Sequence, residues 1–173
     1  NDALAIAQAA KLPEVQFISG KTFEQQELQT ILRMRELGVK QKVALGNQIR
    51  ALLAEFNITA SPAQGGLSRA VQDTLETADN GFSMIFREAL HLTWQAYLAI
   101  IERIQHYDQQ LAKIIKQHPD CQRLMALEGV SVINAINLFN LLKLGDDVSF
   151  RSGRKAAACI GLTPIQHSSG GKA

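Results

Sequence analysis

The sequence predicts a mainly α-helical protein in which long antiparallel coiled-coil helices are followed by a small helix-hairpin-helix-like module. Three observations lead to this prediction. Apolar residues recur at helical spacing over long stretches, residue types that favour helix ends bound these stretches, and a glycine-containing turn near residue 129 separates two apolar segments. Apolar residues make up 46% of the 173 residues, which is enough to build hydrophobic cores.

Residues that favour helix N-termini indicate where the first two predicted helices begin. Residues 2–10 are rich in alanine, and Asp2 lies where an N-cap or a first-turn acid is favoured. After a short β-prone stretch, Thr22 and Gln25 have the spacing of a capping box. We therefore expect a long helix to begin there and to run to about Phe56.

A second long helix is predicted after a short amphipathic one, which carries Leu67 and Val71 on one face. Apolar residues follow a heptad rhythm at Leu90, Trp94, Tyr97, Ile101, Ile104, Leu111 and Ile115. Asp108 interrupts the rhythm, and Pro119 is expected to stop it. Such a seam is typical of a coiled coil, formed either within one chain or between two copies.

The segment after Pro119 has the pattern of a helical hairpin. Gly129 is expected to form the turn and Ser131 to cap the helix beyond it. In a helix-hairpin-helix, backbone N–H groups at this place face a DNA phosphate, and glycine allows close approach. The alternative is an ordinary helix hairpin with a glycine turn, and the spacing leaves both open.

Three cations follow in residues 150–155. Arg151, Arg154 and Lys155 surround Ser152, which is expected to cap a small helix that ends at Gly161. Cations at a helix N-terminus oppose the helix dipole, so a phosphate nearby would stabilise them. A solvated surface is the alternative for each cation taken singly.

The run from His167 to Lys172 contains two serines and two glycines. A serine nucleophile needs a base, an open approach and a charge partner, and Ser169 has flanking glycines and Lys172 nearby. A flexible polar loop would have the same composition.

The charge and cysteine content restrict the class of protein. The net charge is +2, which favours nucleic acid only weakly. Two cysteines do not make a disulfide framework, so we expect a reducing cytoplasm. No apolar run long enough for a membrane span is present. The ends at Asn1 and Ala173 indicate a piece of a longer protein.

Several motifs in a fixed order resemble a known family. They are Asn1-Asp2-Ala3-x-Ala5-Ile6, the paired-helix middle, Gly129-Val-Ser, Phe150-Arg-Ser-Gly-Arg, Gly161-Leu-Thr-Pro and Ser168-Ser-Gly-Gly-Lys. This order resembles the insertion-sequence transposases that have an N-terminal RuvC-like DEDD domain and a C-terminal serine-bearing transposase domain, and that are guided by a bridge RNA. The resemblance covers essentially the whole chain.

The resemblance implies roles for individual residues. Asp2 would be the last acid of the DEDD set that binds Mg²⁺, and Ser169 the serine that joins DNA covalently, with Ser168 ranked second. Arg151, Arg154 and Lys155 would contact nucleic acid, as would Gly129, Ser131 and Lys172. Ser131 stands where a second glycine is common, which weakens phosphate binding at the hairpin.

The resemblance also implies a domain order. Residues 1–20 would end a RuvC-like α/β domain that is largely missing, residues 21–118 would form the coiled coil that pairs protomers, and residues 119–173 would form a truncated serine transposase domain. The parent would cleave and rejoin DNA in the bacterial cytoplasm with Mg²⁺ and a guide RNA, and this segment alone would be inactive. Two alternatives remain open, namely a non-enzymatic helical binding or oligomerisation module and a helix-hairpin-helix DNA-repair accessory protein.

Overall fold

The computed structural model describes residues 2–12, 20–142, 150 and 152–162, which form seven α-helices. In chain order these are α1 (Asp2–Ala9), α2 (Phe23–Ala54), α3 (Gly66–Glu76), α4 (Met84–Ile115), α5 (Pro119–Met125), α6 (Val132–Leu142) and α7 (Gly153–Cys159). The mainly α-helical fold is thereby confirmed. The β-prone stretch at residues 15–18 lies outside the described residues.

The chain divides into two compact units. Unit 1 comprises Asn1–Leu28 and His118–Ala173, and unit 2 comprises Gln29–Gln117. The three-domain division expected from the resemblance stays a prediction.

Helices α2 and α4 pair antiparallel in unit 2. Across the pair, Arg35 bonds Asp108, Arg103 bonds Gln41, Gly38 faces Ile104, and Gly46 faces Tyr97. Residue numbers rise along α2 as they fall along α4, so the two helices run in opposite directions. The pairing of two long helices within one chain is confirmed, while coiled-coil supercoiling stays a prediction.

The predicted seam of α4 is the side that the fold buries. Leu90, Trp94, Ile104, Leu111 and Ile115 are buried, and Tyr97 and Ile101 are half-buried. The core at one end of unit 2 consists of Ile49 and Leu53 from α2, Leu67, Ala70 and Val71 from α3, and Leu90 and Trp94 from α4. Apolar residues at helical spacing on three helices thus meet in one core, as amphipathic helices require.

Arg87 on α4 connects the end of α3 to the rest of unit 2. Its guanidinium donates to the carbonyl oxygens of Leu75 at 2.8 Å, Thr77 at 2.6 Å and Thr74 at 3.1 Å. The last carbonyls of a helix have no intrahelical donor, and a cation there also complements the helix dipole. Arg87 therefore stabilises the chain reversal between α3 and α4.

The helix ends follow the predicted caps in three places. Thr22 and Gln25 exchange backbone and side-chain hydrogen bonds at 3.1 and 3.2 Å, which is a complete capping box. Ser152 caps α7, and Gly161 has a φ of 80° at its C-terminal end, where the N–H of Leu162 donates to the carbonyl of Ala157 at 2.8 Å.

The prediction for Pro119 needs a correction. Helix α4 already ends at Ile115, and Pro119 is the first residue of α5. Proline is favoured at that position because the first N–H of a helix has no intrahelical acceptor.

None of the helices in the described ranges is long and apolar enough to cross a lipid bilayer.

Candidate nucleic-acid interface

The predicted hairpin lies in unit 1, between α5 and α6. The N–H of Val130 donates to the carbonyl of Leu127 at 3.2 Å, which closes a four-residue turn. Gly129 is the third residue of this turn and has a φ of 82°. A left-handed residue at that position is a property of type II turns, and it explains why glycine is required. The turn predicted at Gly129 is confirmed.

Ser131 caps the helix that leaves the turn. Its Oγ accepts the N–H of Asn134 at 3.4 Å, and its carbonyl accepts the N–H of Ala135 at 2.8 Å. The cap predicted at Ser131 is confirmed. The Ser131 hydroxyl thus accepts one of the N–H groups that could otherwise bind a phosphate. The N–H groups of Val132 and Ile133 remain without an intrahelical acceptor.

The buried side of the hairpin is apolar except for Asn140 of α6. Ala135, Ile136 and Phe139 of α6 are buried, and α6 packs against both α5 and α7. The imidazole of His118 lies 5.5 Å from the Phe139 ring, centroid to centroid. The turn that contains Gly129 thus leads into a helix that packs against two neighbouring helices.

Cys121 of α5 is buried and unsuited to nucleophilic chemistry. Burial, with the nearby carboxylates of Asp120 and Glu24, raises the pKa of its thiol from 9.0 to about 11. The thiolate is the nucleophilic form of cysteine, and it is scarce at neutral pH when the pKa is this high. Cys121 therefore acts as an apolar core residue.

A contact that sequence reasoning missed joins α2 to α5. His118 Nε2 lies 3.1 Å from Glu24 Oε1. The two residues are far apart in sequence, and neither belongs to a motif, so no local sequence pattern predicts this contact. The first turn of α2 therefore lies beside the start of the hairpin.

Arg154 and Lys155 lie in the first turn of α7. Both are exposed, and within the described residues neither has a hydrogen bond or ion pair from its side chain. The N–H of Lys155 donates to Ser152 Oγ at 3.4 Å, which confirms the predicted cap. Two cations at the positive end of a helix dipole are unfavourable unless an anion is near, so this turn is suited to a phosphate.

Asp2 is exposed in the first turn of α1. The part of the chain that the structure describes contains no group of three or more His, Cys, Asp or Glu residues placed to share a metal ion. Magnesium sites in nucleases need several clustered carboxylates. The described residues therefore do not by themselves fit a Mg²⁺ site.

The remaining predicted site residues, Arg151, Ser168, Ser169 and Lys172, lie outside the described residues. Asp2, Gly129, Ser131, Arg154 and Lys155 all belong to unit 1.

The family model and the curated relatives that match this chain are all described as transposases. Residues 121–173 match the family model described as transposase IS116/IS110/IS902 family. The chain is similar to insertion-sequence transposases. The expected resemblance is confirmed at this level, and the matched segment contains the turn at Gly129, α6, α7 and Ser169.

Three curated relatives carry such names. The transposase for insertion sequence element IS1111A of Coxiella burnetii is 35% identical over 99% of this chain and 47% of its own length. A probable family 20 transposase of Pseudomonas aeruginosa is 32% identical over 99% of the chain and 51% of its own. The transposase for insertion sequence element IS1328 of Yersinia enterocolitica is 30% identical over 99% of this chain and 50% of its own length.

The chain thus spans about half the length of the curated relatives it matches. No solved structure matches the chain significantly.

Proposed function

We propose that the chain is part of a transposase that cleaves and rejoins DNA strands during transposition of an insertion sequence. The observation that carries this proposal is the alignment of 99% of the chain with proteins named as insertion-sequence transposases. The family match over residues 121–173 includes Ser169, which we propose as the nucleophile.

The chemistry proposed for Ser169 is an exchange of phosphodiesters. The serine Oγ attacks a DNA phosphorus and loses its proton, while the bond from phosphorus to one strand oxygen breaks and that oxygen takes up a proton. The strand is then held as a phosphoserine diester. Because one diester replaces another, attack by a DNA hydroxyl rejoins a strand and releases the serine without an external energy source.

The DNA contacts are proposed for unit 1. The open turn at Gly129 and the start of α6 offer backbone N–H groups, and Arg154 and Lys155 offer exposed charge. Ser131, Arg151 and Lys172 are proposed as further contacts. These groups bind phosphates and sugars without reading bases, so we assign selection of the DNA sequence to a guide RNA of the bridge type.

Asp2 is proposed to contribute one carboxylate to a Mg²⁺ site of the RuvC-like DEDD kind. Magnesium bound there would stabilise negative charge on a phosphate. Since the described residues do not complete such a site, we expect the 173-residue chain by itself to have no strand-cleaving activity.

The long helices are proposed to pair protomers of the parent protein. Besides the seam between α2 and α4, apolar side chains remain exposed on both helices, among them Met34, Leu37, Val43 and Leu92. Sedimentation of the chain at several concentrations tests this part of the proposal. Association that grows with concentration supports pairing, and a monomer throughout contradicts it.

The experiment for the function uses the natural-length protein that contains this segment. It is incubated with Mg²⁺, its guide RNA and a plasmid that carries the insertion sequence, and rejoined DNA ends are quantified by amplification across the junction. We expect Ser169→Ala to reduce junctions to background and Ser168→Ala to retain them. Junctions formed equally by Ser169→Ala would overturn the proposed nucleophile. Absence of junctions with the unaltered protein would favour a non-enzymatic module.

A further inference from the structure

Unit 2 contains a cavity that the proposed function does not use. It has a volume of about 330 Å³ and lies between the C-terminal half of α2, the start of α3 and the middle of α4. Arg50, Ser68, Trp94 and Tyr97 are among its lining residues. A cavity of this size, lined by both polar and apolar residues, is large enough for a small ligand.

Three polar groups in this cavity lack protein partners. Within the described ranges, the Arg50 guanidinium and the hydroxyls of Ser68 and Tyr97 make no hydrogen bond or ion pair, and all three residues are only partly exposed. The two other half-buried arginines of unit 2 are bonded, Arg87 to carbonyl oxygens and Arg35 to a carboxylate. Solvent reaches the polar atoms of these three side chains, so a ligand that enters the cavity can replace water as their hydrogen-bond partner.

The Arg50 guanidinium and the Tyr97 hydroxyl lie beside the same residue of α2, Gly46, which does not itself line the cavity. A Cβ on Gly46 would lie 3.5 Å from Arg50 Nη1 and 3.6 Å from the Tyr97 hydroxyl oxygen. Because Gly46 has no side chain, the Arg50 guanidinium and the Tyr97 hydroxyl can both approach the backbone of α2 at this residue. The Tyr97 ring is also held by stacking on Trp94, with centroids 5.1 Å apart and an interplanar angle of 20°.

We propose that this cavity binds a phosphate group. A guanidinium matches phosphate oxygens with two parallel donors, and serine and tyrosine hydroxyls are common further donors to phosphate. Arg50 supplies the charge, and Ser68 and Tyr97 supply the neutral hydrogen bonds. The phosphate belongs either to a nucleic-acid backbone or to free inorganic phosphate. This site is separate from the interface proposed for unit 1 and does not depend on it.

The sole tryptophan of the chain lines this cavity, so its fluorescence reports occupancy directly. The 173-residue chain is titrated with inorganic phosphate and, separately, with a single-stranded oligonucleotide of about eight nucleotides. Sodium chloride at matched ionic strength is the blank. We expect a saturable change in Trp94 emission. Saturation by phosphate identifies the free anion as sufficient, and saturation by the oligonucleotide alone identifies the nucleic-acid backbone as the source.

Substitutions then test the assigned groups. Arg50→Gln is expected to weaken binding by about 10- to 100-fold, because hydrogen bonds to charged groups are the strong ones. Tyr97→Phe keeps the stacked ring and removes only the hydroxyl, with an expected loss of roughly 2- to 10-fold. Arg69→Gln is the matched control, because Arg69 is exposed on α3, next to Ser68 in sequence, and does not line the cavity.

Two results would overturn the proposal. One is the absence of a saturable emission change with either probe. The other is equal weakening by Arg69→Gln and Arg50→Gln, since a diffuse charge effect would then explain binding. If circular dichroism shows that Arg50→Gln does not fold, Tyr97→Phe decides: unchanged affinity contradicts the site and reduced affinity supports it.

Discussion

Arg35 on α2 forms an ion pair with Asp108 on α4, and Asp108 is the residue that interrupts the apolar heptad of α4. The same guanidinium makes a second contact, from Nη2 to Oδ2 at 3.4 Å. A carboxylate in the seam is thus matched by a cation from the facing helix. This pairing favours the observed antiparallel register over neighbouring ones.

The first prediction concerns what this ion pair contributes. The Asp108 side chain is 42% exposed, so screening reduces its effect, and we expect Asp108→Ala to lower the free energy of unfolding by less than about 1 kcal/mol. Ile104→Ala, one turn away and buried, should cost roughly 2–4 kcal/mol. Urea unfolding of both variants measures the contrast, with the exposed Gln109→Ala as control. A larger loss from Asp108→Ala than from Ile104→Ala would contradict the assignment of stability to the apolar seam.

The second prediction concerns the turn at Gly129. A Cβ on Gly129 would meet no atom within 4 Å, so the cost of a side chain comes from the φ of 82° alone. We expect Gly129→Ala to destabilise unit 1 by about 1–2 kcal/mol and Gly129→Asn by less, because asparagine tolerates the left-handed region.

Gly153→Ala is the control for that measurement. Its Cβ would also meet open space, and its φ is not positive. Thermal unfolding should show no loss of stability for this variant. Equal losses at Gly129 and Gly153 would contradict the role assigned to the turn.

The third prediction is a loss of stability at high pH that depends on Cys121. Burial raises the pKa of its thiol from 9.0 to about 11, so between these values the unfolded chain releases a proton that the folded chain retains. Folding therefore becomes less favourable as the pH rises from 9 to 11, by up to roughly 2–3 kcal/mol for this group.

The measurement is the difference in unfolding free energy between the unaltered chain and Cys121→Ala across that pH range. The decline should be smaller in Cys121→Ala, while Cys159→Ala, which alters an exposed cysteine, should keep it. An identical decline in all three proteins would mean that Cys121 is not the responsible group.

The features that the sequence predicts correctly depend on residues close together in the chain. The caps at Thr22, Ser131 and Ser152 depend on residues within three positions of each other, so spacing alone identifies them. The heptad of α4 was readable for the same reason, because its apolar residues must share one helix face. The turn at Gly129 followed from the conformational freedom of glycine.

Long-range contacts were not readable in the same way. The pair of His118 and Glu24 and the bonds from Arg87 to the end of α3 join residues whose approach depends on the tertiary fold. The cavity at Arg50 likewise needs three helices in place. Among the candidate site residues, the spacing predicted the turn and the cap, while Asp2 and Ser169 gained their proposed roles from the resemblance alone.

The most direct test of the central claim is to locate the DNA attachment. The natural-length protein is trapped with a nicked DNA substrate, digested with nuclease and protease, and the peptide that keeps a nucleotide is sequenced by mass spectrometry. We predict a nucleotide on Ser169, which disappears in Ser169→Ala and persists in Ser168→Ala. A nucleotide on Ser168 or on any other residue would contradict the account.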